Sequence, residues 1–153
     1  MGVCPQWYRF FPLDDPHKLY TGFQAVAAGT IETVVIHENP YGGKIYYQVN
    51  VSLRINQKIL IWYAFEPFTN IEAEGIIQLN AIDVAPGQKV TAGEIIGRLY
   101  YPSTDVGAHV HFGVTINHEW VCPEEYFSPQ ALSLIHISEP TRLRLKSRMP
   151  SWG

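Results

Sequence analysis

Gly107-Ala108-His109-Val110-His111-Phe112-Gly113-Val114 is the stretch that decides the fold, because it has the pattern of a β-strand with two histidines in an apolar run. Side chains alternate between the two faces of a strand. We therefore expect His109 and His111 to share one face and their apolar neighbours to face the core. Two imidazoles on one face, next to small residues that let a ligand approach, suit a metal ligand beside an acid–base group.

The composition predicts one globular domain with a real core. The chain has 153 residues, of which 46 % are hydrophobic and 13 % aromatic, and this argues against disorder. A net charge of −3 predicts no strong attraction to nucleic acid. No run approaches the roughly 20 apolar residues of a membrane helix, so no membrane span is expected. The first residues lack the basic and apolar regions of a signal peptide.

The two cysteines, Cys4 and Cys122, form no recognisable disulfide framework. We expect two unpaired thiols. The alternative, a disulfide, requires the N-terminal segment to lie beside the strand end near Cys122. The pair does not settle the redox compartment.

The chain divides into three parts. Residues 1–22 are predicted to be an irregular entry, 23–127 a β domain, and 128–153 a basic tail that is either disordered or artefactual. Within the β domain, 45–65 alternates as a hairpin, and 84–97 repeats short strands and tight glycine turns. The pattern predicts an all-β fold, a compact antiparallel β sandwich or barrel-like domain with few short helices.

Two segments resemble the lysostaphin/LytM-type zinc metalloendopeptidases, which cut peptide cross-links in bacterial cell walls. Residues 84–97 match the family's V-x-x-G-q-x-V-x-x-G-x-x-I-G run, and Gly107–Val114 matches its G-p-H-l-H-F-e-v strand. Residues 121–123 are similar to its V-x-P ending. The resemblance extends more loosely over residues 10–127 and implies a duplicated hybrid-motif β domain at the cell envelope.

The resemblance also implies a zinc site. In the family, zinc is held by the histidine and aspartate of an H-x-x-x-D motif and by the second histidine of H-x-H. By this match His111 is a zinc ligand, His109 is a catalytic histidine, and Asp14 is the carboxylate ligand. His17, three residues after Asp14, either supplies a further ligand or is an exposed loop histidine.

Two family histidines are replaced in this chain. Phe10 stands where the first zinc-binding histidine belongs, and Phe65 stands where the histidine of a Y-x-H-L motif belongs. A phenyl ring offers no lone pair to a metal and cannot transfer a proton. The resemblance therefore implies a degenerate domain, inactive or weakly active, whose His109 and His111 either bind zinc weakly or are hydrogen-bonded strand residues.

Three hypotheses follow. The first is a degenerate domain that binds or regulates at peptidoglycan, with a peptidoglycan peptide or a cell-wall hydrolase as partner. The second is an active zinc endopeptidase that uses His17 or another ligand. The third is a biotinyl- or lipoyl-type carrier, since those folds share the strand-turn pattern of residues 84–97; it would need modification of a lysine such as Lys44.

Overall fold

The computed structural model describes residues 7–10 as backbone, and residues 17–20, 22–102 and 107–126. This part of the chain consists mostly of β-strands, and its main sheet is a curled antiparallel half-barrel. The predicted all-β class is therefore confirmed. Asp14 and the tail from residue 128 lie outside the described residues.

The main sheet has the strand order β1-β10-β6-β5-β4-β7, with β11 paired to β10. Two small sheets pair β2 with β9 and β3 with β8. The strands are β1 (Trp7–Phe10), β2 (Lys18–Leu19), β3 (Phe23–Gln24), β4 (Gly29–Tyr41), β5 (Lys44–Arg54), β6 (Ile59–Thr69), β7 (Lys89–Val90), β8 (Ile95–Gly97), β9 (Tyr100–Tyr101), β10 (His109–Ile116) and β11 (Glu119–Val121). The described residues also form one α-helix, α1 (Glu72–Asn80), and a 3₁₀ helix (Pro123–Tyr126).

The N-terminal segment differs from the irregular entry predicted for 1–22. β1 pairs with β10 along its whole length, and β2 pairs with β9. Proline and aromatic residues in this segment obscured a strand of only four residues. β1 thus extends the main sheet at the edge next to the two-histidine strand.

The predicted hairpin of residues 45–65 is present as β5 and β6, but it extends beyond its predicted end. β4 continues through Tyr41, and the β4–β5 turn consists of Gly42 and Gly43, whose φ angles are +58° and +77°. Two successive positive φ angles are those of a type I′ hairpin turn, which glycine adopts without strain. β6 does not end at Glu66 but runs to Thr69.

The continuation of β6 contains a bulge. Tyr47 pairs with Thr69 and Val49 pairs with Phe65. Between these two pairs β6 advances four residues while β5 advances two. The extra residues include Pro67, which cannot donate a ladder hydrogen bond and is found in strands mainly at edges and bulges. Bulges bend a strand and re-aim side chains, and they are common next to active sites.

The core lies on one face of the main sheet. Val49, Val51 and Leu53 of β5 face the core and are fully buried, as their alternation predicts, but Gln48 and Ser52 on the other face are also buried, at 3 % and 0 % exposed. The strand-turn run packs against them through Val90 and Ile96, with Gly87 and Gly93 at positive φ in its turns. The core cluster comprises Ala25, Ile31, Val49, Val51, Leu53, Ile61, Tyr63, Phe65, Val84, Val90, Ile96, Leu99, Tyr101, Ala108, Val110, Phe112 and Val114.

The segment 69–83, whose sequence pattern fits either a helical turn or a strand, contains helix α1. Buried Gln78 fixes the helix, because its amide donates to the carbonyl of Arg98 and accepts from the backbone N–H of Tyr100, each at 2.8 Å. Gly75 lets the helix approach β5 closely: a Cβ at this position would lie 2.6 Å from Cβ of Tyr47.

Replacing Gly75 by alanine is expected to destabilise the domain by about 1–3 kcal/mol, the usual cost of overpacking. The better helix propensity of alanine, worth up to about 1 kcal/mol, offsets only part of this cost. Urea unfolding measures the effect, with Ile76→Ala as a control on the exposed side of the same helix. Equal stability of Gly75→Ala and wild type would contradict the close packing.

Cys122 is disulfide-bonded, so the expectation of two unpaired thiols is wrong. Cys4, the chain's other cysteine, lies outside the described residues. The spacing of two cysteines carries no information about distance in the fold, which is why the sequence pattern did not reveal the bond. None of the helices in the described part of the chain is long and apolar enough to cross a membrane.

Candidate metal centre

Two neighbouring strands build the candidate site. β10 carries His109 and His111, and β6 carries Glu66 and Ala64 directly opposite them. Because opposed residues of an antiparallel pair share a face, Glu66 lies on the histidine side of the sheet. Val110, Phe112 and Val114 face the core, so the predicted alternation of this strand is confirmed.

The carboxylate of Glu66 contacts both histidines. Its Oε1 lies 2.6 Å from Nδ1 of His111, and its Oε2 lies 3.2 Å from Nε2 of His109. The two imidazole rings meet edge to face, with centroids 4.5 Å apart. All three residues are nearly closed off from solvent, with exposed fractions of 9 %, 5 % and 8 % for Glu66, His109 and His111. Such buried charged and polar groups are retained only where they are paired.

The protonation of His109 follows from its partners. Its Nδ1 lies 2.5 Å from the carbonyl oxygen of Gly107. A carbonyl oxygen only accepts hydrogen bonds, so Nδ1 carries a proton. Nε2, which faces Glu66, then either carries a second proton or presents its lone pair. The lone pair of an imidazole and a carboxylate oxygen repel each other unless a cation lies between them.

Glu66 is held as a carboxylate. Burial raises the pKa of this group, but hydrogen bonds from His109 and His111 and their positive charge lower it further than burial raises it. The net result is a pKa of about 2, below the ordinary value of 4.5. The site therefore presents a negative charge to whatever cation, proton or metal, lies between Glu66 and the histidines.

Glu66, His109 and His111 form a group that can hold a metal ion, because their ligand atoms all lie within 4.8 Å of one another. Ligand bonds of 2.0–2.1 Å at a tetrahedral ion separate neighbouring ligand atoms by roughly 3.3 Å. The 3.2 Å between Nε2 of His109 and Oε2 of Glu66 fits this separation, whereas the 2.6 Å between Nδ1 of His111 and Oε1 of Glu66 is a hydrogen-bond distance that would lengthen on metal binding. Two imidazoles and one carboxylate are also a donor set found in catalytic zinc sites.

The other residues singled out from the sequence are placed differently. His17 is exposed and has a φ of +58°; its Nδ1 lies 3.5 Å from the hydroxyl of Tyr100. It does not belong to the group of Glu66, His109 and His111. Phe10 lies on β1, where its Cα is paired with that of Val110 on β10. The predicted roles of Asp14 and His17 as ligands thus remain predictions.

Phe65 does not face the histidines. It is fully buried in the core, opposite Val110 and Val49. The resemblance places a family histidine at 65, whereas the side chain that β6 presents to the histidine pair is that of Glu66. Residue 65, where the resemblance expects a histidine, therefore faces the core and not the histidine pair.

Sequence reasoning missed Glu66, although a signal was present. Glu66 is the only charged residue between Ile59 and Thr69, a run that is otherwise almost wholly apolar. A carboxylate in such a strand needs a partner. The following Pro67 indicates the end of a strand at this point, whereas β6 continues to Thr69.

A row of amides lies on the same face of the sheet. Nδ2 of Asn39 donates to Oε1 of Gln48 at 3.1 Å, and Nε2 of Gln48 donates to Oδ1 of Asn50 at 2.8 Å. Asn50 is opposite Ala64, which is opposite His111. The amide row thus runs along β5 from the histidine site toward the end of the β4–β5 hairpin.

A scan against protein-family models gives no match for this chain, and no curated protein matches its sequence.

Proposed function

We propose that this chain is a lysostaphin/LytM-type peptidase-like domain that binds or regulates at peptidoglycan and hydrolyses little or no peptide. The observation that carries the proposal is Glu66, which lies at the place on β6 that faces His109 and His111. A carboxylate between the two imidazoles supports metal or proton binding. The strand-turn run of 84–97 followed by the H-x-H strand supports the family assignment.

Zinc is the metal that the resemblance implies, and the residues present fit it. Glu66, His109 and His111 would hold the ion with one carboxylate and two neutral imidazoles. Zinc supplies Lewis acidity, which polarises a carbonyl and lowers the pKa of a bound water to about 7. This donor set differs from the family's set, because it uses the strand's first histidine as a ligand.

Low catalytic power follows from the positions of the histidine nitrogens. His109 donates from Nδ1 to Gly107, and its Nε2 faces Glu66. A general base needs a nitrogen within hydrogen-bond reach of the attacking water. With both nitrogens of His109 turned toward protein atoms, the domain loses an acid–base contribution worth about 10²–10⁴-fold in rate.

The second candidate function is an active zinc endopeptidase. It is favoured by the two-imidazole, one-carboxylate donor set, which catalytic zinc sites share. The carrier hypothesis has less support. Lys44 is exposed beside the Gly42-Gly43 turn, and a biotinyl or lipoyl adduct there would appear as a mass increase of the intact protein.

The disulfide at Cys122 supports a location in the cell envelope or outside the cell. Disulfides persist in secreted and periplasmic proteins and are rare in reducing compartments. This agrees with peptidoglycan, or a cell-wall hydrolase acting on it, as the partner.

Purified, zinc-loaded protein tests the proposal in two assays on insoluble peptidoglycan. We expect the protein to sediment with peptidoglycan, and we expect the release of new amino groups to equal that of the double variant His109→Gln/His111→Gln. Hydrolysis that this double variant abolishes would establish the endopeptidase instead. Failure of the wild type to sediment with peptidoglycan would contradict the proposed function.

A further inference from the structure

Three aromatic side chains form a cluster at the end of the β4–β5 hairpin. Tyr46 and Phe68 stack with their ring centroids 4.6 Å apart and their planes inclined by 24°. Tyr41 packs against both rings at 6.1 and 6.2 Å and is 65 % exposed. We call Tyr41, Tyr46 and Phe68 the aromatic cluster. It presents flat apolar surface to solvent.

The cluster is maintained by strained backbone. Phe68 has a φ of +57°, in the left-handed region that bulky residues rarely adopt. This conformation belongs to the β6 bulge and turns the phenyl ring toward Tyr46. A glycine or asparagine would adopt the same backbone at lower cost. Strained residues of this kind concentrate at functional sites.

The aromatic cluster adjoins the candidate metal centre. Glu66 and Phe68 flank Pro67 in the β6 bulge. Tyr46 and Gln48 lie on one face of β5, and the amide row continues from Gln48 to Asn50. The aromatic cluster, the partly exposed amides of Asn39 and Asn50 and the candidate metal centre therefore lie on one face of the main sheet.

We propose that the aromatic cluster binds a sugar ring of the peptidoglycan glycan strand. The inference rests on the proposed function and names the part of the polymer that this face recognises. An exposed aromatic face packs against the apolar C–H face of a sugar ring, and the partly exposed amides of Asn39 and Asn50 can bond its hydroxyl and acetamido groups. Lys44, exposed opposite Tyr41, adds a positive charge that complements the carboxylates of peptidoglycan.

The test uses a β-1,4-linked tetramer of N-acetylglucosamine and isothermal titration of the zinc-loaded protein. Tyr41→Ala and Phe68→Gly are expected to weaken tetramer binding at least tenfold. Phe68→Gly also removes the backbone strain, so its melting temperature should stay within a few degrees of wild type while binding is lost. If Phe68 had only a structural role, Phe68→Gly would lower the melting temperature and the affinity for the tetramer together.

Ile45→Ala is the matched control. Ile45 is an exposed apolar residue of the same hairpin, but it alternates with Tyr46 and so lies on the other face. The affinity of Ile45→Ala for the tetramer should stay within twofold of wild type. Zinc binding should be unchanged in Tyr41→Ala, Phe68→Gly and Ile45→Ala. Unchanged tetramer affinity in Tyr41→Ala and Phe68→Gly would overturn the inference.

Two further probes separate the possible occupants. If intact peptidoglycan binds but the tetramer does not, the sugar assignment is wrong while the proposed function stands. If stem peptide or anionic lipid vesicles compete at the aromatic cluster and the tetramer does not, the occupant is a peptide or a lipid. Tetramer binding that Tyr41→Ala weakens supports the sugar assignment even where hydrolysis is absent.

Discussion

Replacing His111 by asparagine is expected to lower the zinc affinity of the domain at least 100-fold. The variant removes an imidazole whose Nδ1 lies 2.6 Å from Glu66 and leaves a two-residue donor set. Removing a residue that only supports a metal ligand already lowers metal affinity about 10–100-fold, and removing a ligand itself lowers it more. Competition with a chromophoric chelator measures the affinity.

His118→Asn is the matched control for this variant. His118 is exposed in the β10–β11 turn at a φ of +68°, a conformation that asparagine tolerates, and it lies outside the metal-binding group. Its zinc affinity should equal that of wild type. A loss of zinc binding in His118→Asn, or wild-type affinity in His111→Asn, would place the metal elsewhere.

Replacing Phe65 by histidine is expected to destabilise the domain by about 3–5 kcal/mol and to restore no hydrolysis. The resemblance suggests that this change would rebuild a family catalytic site. The structure instead places Phe65 in the core, packed edge to face with Phe23 at 5.6 Å. The variant loses the packing of a large buried ring, which lowers the free energy of unfolding by about 3–5 kcal/mol. It also buries a polar ring in the place of the phenyl ring.

Urea unfolding and the release of amino groups from peptidoglycan together test this variant. Phe68→His is the control for the urea unfolding alone, because Phe68 belongs to the aromatic cluster. Phe68 is a half-buried phenylalanine of the same strand, and its replacement should change the free energy of unfolding by less than about 1 kcal/mol. A stable Phe65→His variant that cleaves peptidoglycan would show that residue 65 reaches the site.

The sequence predicted the elements whose patterns are long and regular. The alternation of β5, the glycine turns of 84–97 and the two faces of the H-x-H strand all follow from period and turn chemistry. Strand ends were less predictable. Proline is typical of turns, yet Pro40 lies in a paired part of β4 and Pro67 lies in the bulge of β6.

The candidate site was half predictable. His109 and His111 stand out because two histidines two residues apart share a face. Glu66, 43 residues before His109 in the sequence, is brought to the two histidines by strand register and a bulge that no local pattern specifies. The aromatic cluster was missed for the same reason, since Phe68 joins Tyr46 through the β6 bulge.

The central claim is that Glu66, His109 and His111 together bind the metal. The most direct measurement is the ¹⁵N chemical shift of each imidazole nitrogen as zinc is added to the metal-free protein. We predict that Nε2 of His109 and Nδ1 of His111 shift at one equivalent of zinc, and that Glu66→Gln weakens this response. A zinc-dependent shift at His17 or His118, with those two nitrogens unchanged, would contradict the claim.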